Sequence, residues 1–196
     1  MDRKKEIIDA LLELASEKGL GNVSMQQIAD KVGITKASLY NHFSSKEEIV
    51  EKMYEILREN SKRSLGVEAM NFDMMNGMPL SEILYGMVSS YKKMCLDPKM
   101  FMFYKIIMSE RAINKTAAEI MVSETNVMIN ATKMLFYALQ AKKIANFKDV
   151  DSAAYSFSMA VHSIIDHECD MACANIQNDR DLLREYVEYF CKVNTD

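Results

Sequence analysis

Lys36, Ser38, Tyr40, Asn41 and His42 crowd into one short stretch, KASLYNHF, around the large apolar residues Leu39 and Phe43. An ammonium, two hydroxyls, an amide and an imidazole can serve both base edges and phosphate oxygens. Leu39 and Phe43 are four apart, so on a helix they share one face. Lys36, Ala37, Tyr40 and Asn41 then point away from that face, with Ser38 and His42 on its flank. A short helix decorated this way and held out by a compact support is what a reader of the DNA major groove requires.

Two other groups could do chemistry. His162 and Asp166 are four apart, a helical spacing that can chelate, and His167 and Glu168 lie beside them. Cys95, Cys169, Cys173 and Cys191 form no CxxC pair and no zinc-finger pattern. Buried or half-buried thiols are the expectation, although Cys169 and Cys173 share a helix face and leave a redox sensor open. No activated nucleophile, glycine-rich phosphate loop or complete metal motif is present, so the chain reads as neither an enzyme nor a cofactor carrier.

The elements that would position the KASLYNHF stretch are legible around it. Ser24 and Gln27 form a capping box that opens a helix over 25–32, with Ile28, Ala29 and Val32 on one face. Gly33 supplies the left-handed turn. Ile34 anchors the turn, and Thr35 caps the next helix, over 36–42. Ser45 and Glu48 form a second capping box for a helix over 46–64. Lys46 falls in that helix's first turn, against the dipole, which suggests an outside anion.

Charge agrees with this reading. The chain has 24 basic and 28 acidic residues, net −4, yet Lys31, Lys36 and Lys46 bound a window without Asp or Glu. An acidic body with a small basic footprint avoids unspecific nucleic-acid binding. A length of 196 residues with two prolines, six glycines and no tryptophan suits a helical protein. The 3.6-residue pattern predicts further helices at 2–18, 80–95, 98–109, 115–140, 151–174 and 180–193, making about nine in an all-α fold. No signal-peptide run and no stretch of 18 apolar residues appears, so a cytoplasmic location is expected.

Residues 7–53 resemble the N-terminal domain of tetracycline-repressor (TetR) family transcriptional regulators. The resemblance rests on Ala15 and Gly19-Leu20, on S-M-x-x-I-A from Ser24, on VGITKASLYNHF, and on SKEE. It implies a three-helix DNA-binding domain over 1–48 and a helical effector-binding and dimerisation bundle over 49–196. It places Gln26, Lys36, Ala37, Ser38 and Tyr40 at base edges, and Ser24, Thr35, Tyr40, His42 and Lys46 at phosphates. Family members often carry glycine or proline where Ala37 stands, so base preference does not transfer.

Fourteen of the 17 methionines follow residue 66. They fill a helical core or, as the resemblance implies, line a cavity for a small, largely apolar effector. The densest apolar cluster, 98–108, and the facing 121–137 helix put Met102, Tyr104, Met108, Met128 and Phe136 at that pocket. The last two helices carry broad stripes that include Phe157, Val161, Ile164, Ile165, Tyr186 and Phe190. Such stripes close within one chain or against a second copy; the resemblance implies a homodimer with a four-helix interface, and it assigns His162 and Asp166 to that packing and not to a metal. The function expected is a repressor released from a palindromic operator by its effector. The alternative is a DNA-binding regulator governed by a protein partner or by metal or redox state.

Overall fold

The computed structural model of the chain describes residues 2–64, 75 and 77–195, with side chains for all of these except 57–64 and 116. Most of the methionine-rich 66–79 segment, including Met70, Phe72 and Met74, lies outside the described residues. Nine α-helices are present among them: α1 (Arg3–Lys18), α2 (Met25–Val32), α3 (Lys36–Tyr40), α4 (Lys46–Ser64), α5 (Leu80–Cys95), α6 (Pro98–Glu110), α7 (Lys115–Ala141), α8 (Val150–Cys173) and α9 (Leu182–Asn194). The only β pairing described is an isolated bridge between Phe147 and Thr195. The fold is all-α. No described helix is long and apolar enough to cross a membrane.

The helix ends follow from their caps. Asp2, Asp97, Asp149 and Asp181 each accept from backbone N–H groups at the starts of α1, α6, α8 and α9. Pro98 occupies the first position of α6, where its missing N–H costs nothing. Two helices depart from the sequence pattern by two residues at one end: α9 starts at Leu182, two later than expected, and α3 stops at Tyr40, two earlier. Asn41 and His42 donate to the Ser38 and Leu39 carbonyls three residues back, which tightens the last turn beyond α-helical geometry.

The chain forms two compact units, Met1–Arg63 with Asp97–Val122, and Ser64–Leu96 with Ser123–Asp196. In the first, Ile7, Leu11, Ile28, Leu39, Ile49 and Met53 are fully enclosed and share one core with Ile106 and Ile107 of α6. Lys99 of α6 reaches Asp9 of α1 at 2.8 Å on its surface. In the second unit, Phe136 of α7 stacks on Phe147 at 4.3 Å and meets Phe157 and Phe190 at 5.5 and 5.8 Å. Arg184 of α9 lies 3.8 Å from the Tyr85 ring centroid and pairs with Glu82, fastening α9 to α5. Lys92 of α5 pairs with Glu168 of α8 at 2.8 Å.

Candidate nucleic-acid interface

The α2–α3 pair is assembled by local bonds that the sequence specifies. The Ser24 hydroxyl accepts from the Gln27 N–H at 3.3 Å, and the Gln27 side-chain oxygen accepts from the Ser24 N–H at 3.0 Å. Both halves of the capping box are therefore made. Gly33 adopts φ 75°, ψ 34°, the left-handed conformation only glycine takes without cost. Its N–H donates to Asp30 O, while Ile34 N–H reaches back to Ala29 O at 3.0 Å. This is a Schellman turn, with Ile34 packed on the core as its apolar partner. The Thr35 hydroxyl accepts from Ser38 N–H at 3.1 Å and starts α3.

The faces of α3 divide as the spacing requires. Leu39 and Phe43 are 0% and 3% exposed, whereas Lys36, Ala37, Tyr40 and Asn41 are exposed and Ser38 and His42 are half-buried. Leu39 and Phe43 thus hold the helix while the polar groups stay outside. Lys4 of α1 stands 5.4 Å from the Phe43 ring centroid, a cation–π contact on the same support.

The three lysines of the acid-free window have different surroundings. Lys31 pairs with Glu13 of α1 at 2.8 Å, and the Glu13 carboxylate holds it protonated beyond the ordinary lysine range. Lys46 donates to the backbone carbonyls of Leu20 and Val23, both at 3.0 Å. It braces the start of α4 against the turn before α2, and these carbonyls relieve its unfavourable place on the dipole without an outside anion. A lysine has three N–H donors, so one remains. Lys36 alone of the three has no partner among the described residues. Gln26 is exposed but engaged, donating to the Asp30 carboxylate at 2.8 Å.

The second capping box differs from its expected form. Glu48 N–H donates to the Ser45 hydroxyl at 3.2 Å, but the Glu48 carboxylate accepts from the N–H and hydroxyl of Ser44, not from Ser45. The Ser44 bonds hold that carboxyl below its usual range. The Lys46 brace and the Asp30 partner of Gln26 escaped the sequence pattern. A lysine in a helix's first turn was the only signal of the brace.

Elsewhere, the five expected pocket residues fall in different places. Met102, Tyr104 and Met108 are half-buried on α6 in the first unit, and Met128 and Phe136 are buried in the second. Phe136 is 0% exposed within its aromatic cluster, so in this arrangement it offers no surface to a ligand. Of the stripe residues, Phe157, Val161, Ile165 and Phe190 are buried in the chain's own core, while Ile164 and Tyr186 remain half-exposed. His162 lies 3.5 Å from Asp166. No group of three or more His, Cys, Asp or Glu among the described residues is arranged to hold a metal. Burial pushes the Cys95 thiol up to about 11 and Cys169 up to about 12.

Comparison with known proteins matches this geometry. Residues 7–53 fit the sequence profile of the bacterial regulatory proteins of the tetR family. The HTH-type transcriptional repressor KstR2 of Rhodococcus jostii is 45% identical over 56 residues, 29% of this chain and 26% of that protein. The chain thus spans about a quarter of that relative's length in the matched region. Over the whole fold, Salmonella enterica GusR superposes with a TM-score of 0.69 at 21% identity, covering 97% of this chain and 95% of its own. The flavonoid-responsive regulator FrrA gives 0.69 at 22%, covering 98% and 97%. Residues 7–53 thus match the DNA-binding segment of the tetR family of bacterial regulatory proteins, and the chain as a whole shares its fold with GusR and FrrA.

Proposed function

We propose that the chain is a homodimeric repressor that lays one α3 from each protomer into successive major grooves of a palindromic operator and lets go when a small molecule binds its body. The observation that carries the DNA half is α3 itself, a capped helix with a buried Leu39 and an outward, uncompensated Lys36. Lys36 would donate to guanine O6 and N7, with Gln26, Ala37, Ser38 and Tyr40 completing the base-edge surface. Ser24, Thr35, His42 and the third N–H of Lys46 would take phosphates. The functional division proposed is a reader over 1–48 and a body over 49–196, with α4 belonging to both.

Dimerisation is supported by apolar surface that the protomer leaves outside. Tyr155 and Met159 are 57% and 38% exposed on α8, and Tyr189 and Val193 are 65% and 45% exposed on α9. Each pair is four apart and so forms a stripe. These residues, with Ile164 and Tyr186, suit a two-fold helical interface better than the buried Phe157 and Phe190. A small-molecule signal is supported by the shared fold of the flavonoid-responsive regulator FrrA and by the half-buried methionines of α6. Such a ligand acts only by binding one arrangement of the readers better than another. Cys169 is buried and its burial raises the thiol, which weighs against a redox signal through the Cys169 and Cys173 pair. A regulator of transcription would work in the cytoplasm and needs no catalysis.

The test is selection of bound DNA from a random pool with the full chain. A palindrome with half-sites about one helical turn apart, roughly 34–36 Å, is expected. Enrichment of no sequence, or of a single unrepeated site, would contradict the proposal.

A further inference from the structure

Asp30 is the only acidic residue between Lys18 and Lys46, the stretch that holds α2, the glycine turn and α3. A carboxylate on a surface proposed to face phosphates weakens binding to any duplex, so its place there needs a reason. Its side chain is exposed on α2, one helical turn after Gln26, and accepts from Gln26 Nε2 at 2.8 Å. Gln and Asp four apart on a helix are natural partners. The pairing settles which way the Gln26 amide faces. An ionised carboxylate only accepts hydrogen bonds, so the amide nitrogen must lie on the Asp30 side. A half-turn of the amide would set its carbonyl oxygen against the carboxylate. One N–H of Gln26 is therefore committed, while its carbonyl oxygen and second N–H stay available on the exposed side of α2.

We propose that Asp30 is a positioning residue that locks Gln26 to read adenine at one base pair of each half-site. Adenine presents an amino group and N7 to the major groove, which match a carbonyl acceptor beside an N–H donor. Guanine presents O6 and N7, and thymine presents O4, so at either base the fixed carbonyl meets another oxygen. Cytosine offers its amino group without an N7 and makes one bond in place of two. The inference rests on the DNA-binding reading above, and adds to it a base and the residue that turns the reader toward that base. Asp30 itself touches no DNA. Its charge weakens attraction to every sequence while its bond favours one, so it raises the ratio of specific to unspecific binding.

The experiment measures affinity of the full chain for the fragment enriched from the random pool, for its single-base variants, and for a random duplex of the same length. Wild type should prefer adenine about tenfold at one position of each half-site, and Gln26→Ala should flatten that position alone. Asp30→Ala should flatten the same position, because the freed amide turns either way. It should also bind the random duplex about two- to fourfold more tightly at low salt. Asp30→Asn should share that gain but keep part of the adenine preference, since its amide oxygen still accepts from Gln26. A merely structural role for Asp30 would not tighten unspecific binding while erasing one base preference. Both side chains are exposed, so each variant should melt within about 2 °C of wild type. Adenine preference retained in Asp30→Ala, guanine or thymine preferred at the position Gln26 reads, or no position flattened by Gln26→Ala overturns the inference and leaves the DNA reading in place. A wild-type chain that enriches no fragment overturns the DNA reading, and the inference with it.

Discussion

Lys46→Met keeps most of the lysine stem and removes only the ammonium, so it isolates the brace. Two charge-assisted bonds of 3.0 Å to Leu20 O and Val23 O disappear. Hydrogen bonds to charged groups contribute about 1.5–3 kcal/mol each when buried. The site is only part-buried, and water can reach the freed carbonyls, so the expected loss for the pair is about 1–3 kcal/mol. For a chain of this size each kcal/mol moves the thermal midpoint by about 2–4 °C. A fall of about 2–12 °C by circular dichroism is therefore expected. If the third N–H also holds a phosphate, the slope of log affinity against log salt should flatten by about 0.9. An unchanged midpoint combined with weaker, flatter DNA binding would refute the brace, because the ammonium would then be a phosphate contact alone.

Leu39→Ala should destabilise the chain by about 2–5 kcal/mol in denaturant titration, since Leu39 is fully buried where α3 meets its support. Ser44 holds the Glu48 carboxyl below its ordinary value, so its contribution to stability is full above the unfolded value near 4.5 and fades as pH falls through the lower folded value. Glu48→Gln should thus lower the midpoint at pH 7 and narrow its difference from wild type in acid. Tyr155→Asp with Tyr189→Asp should leave the protomer folded and halve its mass in sedimentation, because both rings are exposed in the single chain; a dimer that survives both changes would place the interface elsewhere.

The features that could be read from sequence were those fixed by neighbours in the chain. Ser24 and Gln27, Gly33, Thr35, and the Leu39–Phe43 pair each declare a local geometry, and each appears as expected. The helix pattern gave the all-α architecture for the same reason. What could not be read depends on partners far along the chain. Lys46 finds carbonyls more than twenty residues away, and Lys31 finds Glu13 across a helix pair. Stripe periodicity identified the apolar faces of α8 and α9, but it could not say which part of a broad stripe closes inside the protomer. Phe157 and Phe190 join Phe136 there, while Tyr155, Met159, Tyr189 and Val193 stay outside. Phe136 shows the same ambiguity for the pocket, since a core aromatic and a cavity wall share one pattern.

The proposed regulator depends on the outer face of α3 reading base sequence. Its most direct test is base-by-base affinity of wild type and Lys36→Ala on single-base variants of the enriched operator, at fixed salt. Lys36→Ala is expected to lose about 1–3 kcal/mol of discrimination at one guanine in each half-site and to keep its preferences elsewhere. Equal losses on the operator and on random DNA would contradict it, and would make Lys36 a phosphate contact on a helix that reads nothing.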